Sequence, residues 1–237
     1  MLRRSLLLLF ALSLSLSLSI SHAEETRTRI ALAGDSTVTD KAGWGAAFAK
    51  LLGPNAECLN FAAGGQSSKS FRDTGNWKKV LDSKPAYILI QFGHNDMPGK
   101  GPKRETDPAT TFPQNLTRFI EEARAIGAKP ILVTSLTRRI FDNNKIRGEL
   151  KPWADAATKV ATEQQVPLVD LFTRSVNLHN KLGIAESDTF NPTVVRPPTE
   201  AQTTDRTHLN AHGAEVIAAI IAEELHKVAP DLAKLLK

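Results

Sequence analysis

Short apolar runs alternate along the chain with longer stretches in which apolar residues recur every three or four positions. The short runs are apolar almost throughout, a pattern typical of strands that are buried on both faces of a parallel sheet. The run that contains Glu57 and Asn60 is the least regular of them. The pattern predicts five strands, at residues 29–33, 56–61, 86–92, 130–135 and 167–170.

The stretches between these runs have the spacing of amphipathic helices. In residues 112–126 the apolar side chains fall on one helical face, and Gly127 supplies a natural stop. The predicted helices are 44–52, 77–81, 112–126, 153–165 and 211–228. Strand–helix alternation of this kind predicts one α/β domain, a three-layer α/β/α sandwich around a five-stranded parallel sheet.

Two further stretches predict long loops: residues 97–107 are rich in Gly, Pro and Lys, and residues 186–204 contain three prolines. Long loops in compact domains usually carry function. The first should leave the carboxyl end of the third strand, the edge at which open α/β sheets bind ligands. The second leads directly into the segment that contains Asp205 and His208.

The first 23 residues have the pattern of a secretory signal peptide. Arg3 and Arg4 precede a Leu- and Ser-rich apolar run, and a Ser-His-Ala sequence ending at Ala23 supplies the small residues of a cleavage site. A membrane anchor is the alternative, but an anchor usually needs about 20 strongly apolar residues, and serines dilute this run. We therefore predict a signal peptide over 1–23, a mature domain over 24–237, and a secreted or periplasmic protein.

Composition and charge indicate which classes of molecule the protein is expected to bind. The 237 residues are 41% hydrophobic and 23% charged, which suits one globular domain. Without Arg3 and Arg4 the formal net charge falls from +5 to +3, and it is spread along the chain rather than clustered as nucleic-acid binding requires. Cys58 is the only cysteine, so no intramolecular disulfide forms, and we expect it to be a small buried side chain. We expect a monomer that binds neither nucleic acid nor, without its signal peptide, a membrane.

A candidate nucleophile directly follows the first predicted strand, in the sequence Gly34-Asp35-Ser36-Thr37. A serine hydroxyl attacks carbonyl carbon when an imidazole takes its proton, which requires an exposed turn, and a preceding glycine lets the chain turn sharply. Ser36 fits that position. Taken alone, the motif is equally well explained as a turn or a helix cap, because Asp, Ser and Thr are common in both.

A candidate base lies just before the last predicted helix, where residues 205–208 read Asp-Arg-Thr-His. An aspartate three residues before a histidine can accept a hydrogen bond from Nδ1–H, which leaves Nε2 facing a nucleophile. His226 has Glu223 at the same offset, but both fall inside the predicted helix, where such a pair is usually a solvated contact. His208 is therefore the candidate base, and Asp205 is its orienting acid.

The other histidines give weaker signals. His208 and His212 have the spacing of half a metal site, with Asp205 as a third ligand, but the glutamate of a His-Glu-x-x-His motif is missing. We expect His212 at the surface or at a helix start, His179 at the surface, and no metal or other cofactor.

Two segments that follow predicted strands contain donors suited to a developing oxyanion. Gly64 and Gly65 are consecutive, so a backbone N–H there can approach a bound group closely; a plain turn or a weak phosphate loop is the alternative. Neither a Gly-x-Gly-x-x-Gly nor a Gly-Lys-Ser/Thr sequence occurs. After the third strand, Asn95 offers a neutral side-chain amide, for which an Asx turn is the alternative reading.

The blocks occur in the order found in SGNH (GDSL-type) hydrolases, and the chain resembles that superfamily over nearly the whole predicted mature domain. Shared with it are Gly-Asp-Ser, a glycine after the second strand, Gly-x-Asn-Asp after the third, and Asp-x-x-His near the end. The fuller sequences are similar to those of rhamnogalacturonan acetylesterases. They read Gly-Asp-Ser-Thr-Val at 34–38, Ala-x-Gly-Gly-x-Ser-Ser at 62–68 and Gln-Phe-Gly-His-Asn-Asp at 91–96.

The resemblance implies a flavodoxin-like SGNH hydrolase fold and a role for each matching residue. Ser36 is implied as the nucleophile, His208 as the base and Asp205 as the orienting acid. An oxyanion hole is implied from the backbone N–H groups of Ser36 and Gly65 and the side chain of Asn95. No cofactor belongs to this chemistry.

The same resemblance implies a serine esterase that removes O-acetyl groups from a carbohydrate, in particular acetylated pectin (rhamnogalacturonan), through an acetyl-enzyme on Ser36. A lysophospholipase- or thioesterase-type GDSL lipase is the alternative enzyme, although it would need an apolar groove and the candidate loops are polar and basic. A catalytically silent carbohydrate-binding protein is the alternative from another class, against which the presence of every motif residue argues.

Basic residues near the predicted site indicate where an acidic sugar would bind. Lys100, Lys103 and Arg104 lie in the loop after Asn95, and Arg206 lies within the Asp-x-x-His block. Arg and Lys suit carboxylates, so Lys103, Arg104 and Arg206 are candidate contacts to galacturonate. The alternative is that these are solvated loop charges.

Overall fold

The computed structural model describes residues 27–193 and 204–237, so the predicted signal peptide lies outside the described residues. The strands are β1 (Thr28–Gly34), β2 (Ala56–Asn60), β3 (Tyr87–Gln91), β4 (Lys129–Val133), β5 (Phe141–Asp142), β6 (Lys145–Ile146) and β7 (Leu168–Val169). Five of them form one parallel sheet in the order β2-β1-β3-β4-β7. All five predicted strands are confirmed, including the irregular one at 56–61.

Helices cover both faces of this sheet. They are α1 (Gly45–Lys50), α2 (Ser70–Asp73), α3 (Asn76–Asp82), α4 (Thr111–Ala125), α5 (Lys151–Glu163), α6 (Leu171–Asp188), α7 (Ala211–Val228) and α8 (Pro230–Ala233). The helices α1 and α7 pack on one face, and α3, α4 and α5 pack on the other. The five predicted helices are confirmed, and α7 has the predicted bounds.

Strand β1 shows why these segments are apolar throughout. Ile30 and Leu32 belong to the core on one side of the sheet, and Ala31 and Ala33 belong to the core on the other. All four are 0% exposed. Because side chains alternate between the two faces of a strand and both faces are covered, no position of the strand interior is left for a polar residue.

Two sequence predictions are wrong in the region of α6. The loop prediction for 186–204 is wrong at its start, because α6 continues to Asp188; residues 194–203 lie outside the described part. His179 is not at the surface but 0% exposed, with Nδ1 3.0 Å from Ser187 Oγ and its ring edge-on to Phe190 at 5.1 Å. The helical face that carries His179 packs inward, and Gly183, with φ 75° and ψ −177°, interrupts the helical pattern.

A two-stranded hairpin, β5 and β6, also escaped the sequence prediction. Asn143 and Asn144 connect its strands, with φ values of 48° and 61°. Left-handed conformations at both central residues are typical of the tight turns that join such strands, and asparagine tolerates them. The adjacent asparagines were the available signal.

The order of the strands determines where a site can form. From β1 the chain crosses one face through α1 to reach β2, and returns across the other face through α3 to reach β3. The direction of winding therefore reverses between β1 and β3, whose last residues, Gly34 and Gln91, are paired. Open α/β sheets bind ligands in the crevice at such a point, outside the carboxyl ends of the strands.

Candidate active site

Ser36 follows β1 in a turn whose other polar side chains point inward. A Cβ on Gly34 would lie 2.5 Å from Cγ2 of Val38, so the strand can end in this turn only with glycine. Asp35 and Thr37 are fully buried, and Asp35 Oδ1 accepts hydrogen bonds from the Thr37 N–H at 2.8 Å and from its hydroxyl at 2.7 Å. Ser36 itself is half-buried. Its hydroxyl is therefore the one in this turn that a substrate can reach.

The Ser36 hydroxyl is hydrogen-bonded to His208, and His208 is hydrogen-bonded to Asp205. His208 Nε2 lies 2.8 Å from Ser36 Oγ, and Nδ1 lies 2.8 Å from Asp205 Oδ2. Asp205 Oδ1 accepts from the backbone N–H groups of Thr207 and His208, both at 3.0 Å. Burial alone would raise the pKa of Asp205, but the bonds from His208 and Thr207 outweigh it and hold the pKa below its usual value. A charged carboxylate can thus stabilise an imidazolium on His208.

The glycine turn after β2 and the asparagine after β3 lie close to this serine. A Cβ on Gly64 would be 3.9 Å from Ser36 Cβ, so the two turns are neighbours. Gly65 has a φ of 75°, which favours glycine. Asn95 Nδ2 donates to the Gln66 carbonyl oxygen at 3.0 Å, which takes one of the two amide hydrogens. The predicted donors therefore come from three adjacent strand ends, an arrangement that an oxyanion hole can use.

Buried polar side chains connect the turns beneath the site. Gln91 Nε2 donates to Thr37 Oγ1 at 2.7 Å, and Asp35 Oδ2 lies 3.3 Å from His94 Nδ1. Burial would raise the pKa of Asp35, but His94 and Thr37 outweigh it, so the carboxylate remains ionised. The sequence motifs predict no role for these residues. The available signal was that Asp35 adjoins the candidate nucleophile and His94 adjoins Asn95.

Asp96 closes the base of the loop that follows the site. Its Oδ1 accepts hydrogen bonds from the hydroxyls of Ser68 at 2.6 Å and Thr106 at 3.0 Å, and its carbonyl oxygen accepts from the Thr106 N–H at 2.9 Å. Burial raises the pKa of Asp96 to about 7. Residues 97–107 contain neither helix nor strand, which confirms the predicted loop.

Basic side chains of this loop border a cavity next to Gly65. The cavity has a volume of about 500 Å³ and is lined by Gly65, Gln66, Ser70, Asp73, Thr74, Lys103 and Arg104. Arg104 Nη1 lies 3.8 Å from the position that a Cβ on Gly65 would occupy. Burial, together with the positive charges of Arg138 and Arg104, lowers the pKa of Lys100. The positive charges of Lys103 and Arg104 therefore lie beside one of the predicted oxyanion donors, and the Asp73 carboxylate lines the same cavity.

Arg206, the third predicted substrate contact, is placed differently. Its Nε and Nη2 donate to the two carboxylate oxygens of Asp188 at 2.9 and 2.8 Å. The hydrogen bonds to Asp188 raise the pKa of Arg206. Because its carboxylate partner belongs to the protein itself, Arg206 is a weaker candidate for substrate binding than Lys103 and Arg104.

The remaining polar candidates lie apart from this chemistry. Within residues 27–193 and 204–237, no group of three or more His, Cys, Asp or Glu side chains is placed to hold a metal ion. His212 is exposed at the second position of α7, as predicted. Cys58 is partly rather than fully buried, and burial raises the pKa of its thiol to about 12. Among the described helices, none is long and apolar enough to cross a membrane.

Comparison with known sequences gives matches over most of the chain. The model of the GDSL-like lipase/acylhydrolase family matches residues 30–216. The rhamnogalacturonan acetylesterase RhgT of Bacillus subtilis (strain 168) is 37% identical over 213 residues, which cover 84% of this chain and 90% of that protein. The probable rhamnogalacturonan acetylesterase YesY of the same organism is 31% identical over 207 residues, covering 84% and 93% respectively.

Comparison with solved structures gives matches to the same fold. The crystal structure of YxiM from Bacillus subtilis has a TM-score of 0.70 at 26% identity, and the match covers 85% of this chain but 57% of that one. The acetylxylan esterase Axe2 from Geobacillus stearothermophilus has a TM-score of 0.63 at 15% identity, covering 84% and 94%. At that identity the likeness to Axe2 shows the fold alone. The predicted three-layer fold is thus confirmed both by the sheet order and by these neighbours.

Proposed function

Since the chain belongs to the GDSL-like lipase/acylhydrolase family, we propose that it is a serine esterase that removes O-acetyl groups from a carbohydrate. The observation that carries the proposal is the continuous line of hydrogen bonds from Ser36 through His208 to Asp205. Such a line activates a serine for acyl transfer. The names of the two relatives at 37% and 31% identity favour acetylated rhamnogalacturonan as the substrate.

In the proposed mechanism, Ser36 Oγ attacks the acetyl carbonyl carbon while its proton passes to His208 Nε2. The charge that develops on the carbonyl oxygen is stabilised by the backbone N–H groups of Ser36 and Gly65 and by the Asn95 amide. The ester C–O bond then breaks, and His208 returns the proton to the departing sugar hydroxyl. Water, deprotonated by His208, attacks the acetyl carbon on Ser36; the bond between that carbon and Ser36 Oγ breaks, His208 returns the proton to Oγ, and acetate leaves. No step requires a metal or an organic cofactor.

A lipolytic enzyme of the same family, a lysophospholipase or a thioesterase, is the main alternative. A long acyl chain needs an apolar groove, and among the described residues no large apolar side chain lines the cavity beside Gly65. A catalytically silent carbohydrate-binding protein is the other alternative. Silent binding would not require the Ser36 hydroxyl to be 2.8 Å from an imidazole whose other nitrogen meets a carboxylate.

Acetate release from a panel of acetylated substrates tests the proposal. The purified protein and its Ser36→Ala variant are incubated with acetylated rhamnogalacturonan, xylan, sialic acid and peptidoglycan. We expect the fastest release from rhamnogalacturonan, and none from any substrate with Ser36→Ala, whose circular dichroism should match the wild type. A series of aryl esters that were hydrolysed faster as the acyl chain lengthened would favour lipolytic chemistry instead. Equal turnover by Ser36→Ala would remove Ser36 as the nucleophile.

The cavity beside Gly65 suggests how an acidic sugar is held. Lys103 and Arg104 line it, and in this proposal they contact galacturonate carboxylates. The double variant Lys103→Glu/Arg104→Glu should raise KM for acetylated rhamnogalacturonan at least tenfold while leaving the hydrolysis of a small aryl acetate unchanged. The matched control reverses two remote exposed lysines, Lys159 and Lys234. Equal KM values for the two double variants would show that the loop charges are solvated and unused.

We also propose that the protein is exported, because a polysaccharide substrate lies outside the cytoplasm. Residues 1–23 carry the charge and apolar pattern of a signal peptide, and they lie outside the described residues. Mass spectrometry of protein recovered from the periplasm and medium of an expressing host should find a chain that starts at Glu24. A chain retained in the cytoplasm with residues 1–23 intact would contradict export.

A further inference from the structure

Arg139 is a fully buried arginine on the loop that follows β4. The residue is 0% exposed, and burial lowers the pKa of its guanidinium to about 10, against the opposing effect of the Asp205 and Asp188 carboxylates. The group therefore remains protonated at neutral pH. Arginine is almost never fully buried unless it is paired, so the groups that this cation binds are informative.

The hydrogen bonds of Arg139 converge on the segment that carries the proposed acid and base. Nη2 donates to the backbone carbonyl oxygen of His208 and, at 3.5 Å, to that of Asp205. The backbone N–H of Arg139 donates to the carbonyl oxygen of Arg206 at 2.9 Å. Nε donates to Asn191 Oδ1 at 2.8 Å. Three of these four bonds hold residues 205–208 by their main chain.

The loop that carries Arg139 is fixed to the core. Leu136 is 0% exposed, and the N–H of Thr137 donates to Ser175 Oγ of α6 at 3.1 Å. The planar guanidinium presents several donors in one fixed geometry, which a lysine cannot do. A substrate cannot touch a side chain with no exposed surface. Any effect of Arg139 on the reaction therefore has to pass through the residues that it binds.

The position of the base depends on how its main chain is held. The bond between Asp205 and His208 orients the imidazole relative to the carboxylate, but both residues lie on the same short segment. That bond alone does not set the distance from the pair to Ser36, which is 172 residues away in the chain. Arg139 reaches this segment from the loop that follows β4 and binds the carbonyl groups of both residues of the pair.

We propose that Arg139 is a positioning residue for the base: it holds the Asp205–His208 main chain so that His208 Nε2 faces Ser36 Oγ. The inference rests on the proposed function, in which His208 takes the Ser36 proton. Without the guanidinium the acid–base pair still forms but is displaced from the serine. The rate of the chemical step falls, whereas the binding of a small ester does not change.

Two substitutions of Arg139 test this role. Arg139→Lys keeps the positive charge that faces Asp188 and Asp205 but loses the fork of donors, and Arg139→Gln also loses the charge. Both should lower kcat for p-nitrophenyl acetate 10- to 100-fold with KM within twofold of the wild type. The low-field proton resonance of His208 Nδ1–H should shift or broaden in both. Arg139 also faces Arg206 and His179, so kcat is measured across the pH range rather than at one pH.

Arg174→Lys is the matched control, because Arg174 binds Glu223 and Glu224 between two helices away from the serine. It should lower thermal stability and leave kcat unchanged. A folded Arg139→Lys with kcat within twofold of the wild type and an unchanged low-field resonance would overturn the positioning role. The role would also be overturned if Arg139→Lys and Arg174→Lys lost the same amount of stability and Arg139→Lys lost no more kcat than Arg174→Lys did.

A third variant covers the case in which Arg139→Lys does not fold. Asn191→Ala removes the acceptor of Arg139 Nε and should lower kcat three- to tenfold with KM unchanged; an unchanged kcat would overturn the role. Failure of the proposed function looks different. The wild type then fails to hydrolyse the ester, or Ser36→Ala hydrolyses it, while the His208 resonance still reports whether Arg139 holds the segment.

Discussion

His208 Nε2 lies 2.8 Å from Ser36 Oγ, although 172 positions separate the two residues in the chain. Ser36 is placed by the end of β1, and His208 is placed by the segment that precedes α7, which packs on the same sheet. The contact is therefore a property of the assembled fold. It makes the activity of the site sensitive to small displacements on either side.

Loss of the charge on Asp205 should be severe even though the geometry is kept. Asp205→Asn is nearly the same shape but cannot stabilise an imidazolium and favours the wrong tautomer of His208. We expect kcat for p-nitrophenyl acetate to fall on the order of 10³- to 10⁴-fold. Glu223→Gln is the control, since Glu223 has the same offset from His226 on the exposed side of α7. Comparable losses in the two variants would show that Asp205 has no special role.

Removal of the Asn95 amide tests the oxyanion donor. Asn95→Ala should lower kcat by a factor on the order of 10²–10³, because the lost donor acts on charge that develops only in the transition state. KM for the same ester should change little. Asn76→Ala, which removes an exposed amide hydrogen-bonded to Thr74, should have wild-type kinetics. A rise in KM with kcat unchanged would instead assign Asn95 to substrate binding.

We expect substitution of Gly93 to lower the unfolding free energy, because atoms crowd its Cβ position. Gly93 has a φ of 142°, and a Cβ there would lie 2.0 Å from Ser135 Oγ. Gly99 also has a positive φ, of 86°, but no atom lies within 4 Å of its Cβ position. Gly99→Ala should cost about 1 kcal/mol of unfolding free energy for backbone strain, and Gly93→Ala about 2 kcal/mol more because the core must also move. Equal costs in denaturant titrations would contradict the crowding.

Burial of His179 predicts a loss of stability in acid. Burial and the Arg139 charge lower its pKa to about 4, whereas in the unfolded chain the pKa is about 6.5. Below pH 6.5 the unfolded chain takes up a proton that the folded protein does not, so stability is full above that pH and falls toward pH 4. The expected loss from this residue is about 2 kcal/mol between pH 7.5 and pH 5.

The variant His179→Gln isolates this contribution. Its unfolding free energy, measured by denaturant titration at pH 7.5 and pH 5, should change by about 2 kcal/mol less than that of the wild type. The raised pKa of Asp96 has the opposite effect on stability, because the folded protein takes up a proton there as the pH falls. Both proteins contain Asp96, so its contribution cancels when they are compared. His226→Gln, at an exposed position, should keep the wild-type dependence. Identical pH dependence in the wild type and His179→Gln would rule out the buried, neutral state.

The sequence predicts the sheet well because its three central strands, β1, β3 and β4, are apolar runs, as expected for strands that are buried on both faces. The edge strand β2, which contains Glu57 and Asn60, is only partly buried and gives the weaker signal. The prediction fails at α6 for a local reason. Gly183 interrupts the helical geometry, and the apolar positions follow no clean period, so packing rather than pattern makes this segment helical. The inward position of His179 follows from that packing and has no marker in the neighbouring residues.

The proposed reacting groups each lie in a short motif that the sequence shows, whereas the residues that support them do not. Arg139 binds carbonyl groups 66 and 69 positions further along the chain. Because Arg138 and Arg139 are adjacent, the sequence suggests two charged side chains exposed to solvent. A buried cation that binds backbone carbonyls leaves no spacing rule in the sequence, because its partners are atoms that every residue has.

Two hydrogen bonds between Asp96 and Thr106 join the ends of the basic loop, and Asn95 immediately precedes it. In the proposed function, the groups that carry out the chemical step and the candidate contacts to the sugar, Lys103 and Arg104, therefore lie in adjoining stretches of the chain. Residues 97–105 lie outside the strands and outside the turns that carry Ser36 and Gly65. In the proposed function, a change of polymer therefore requires new side chains on this one surface segment, while the hydrogen bonds among Ser36, His208 and Asp205 can stay as they are.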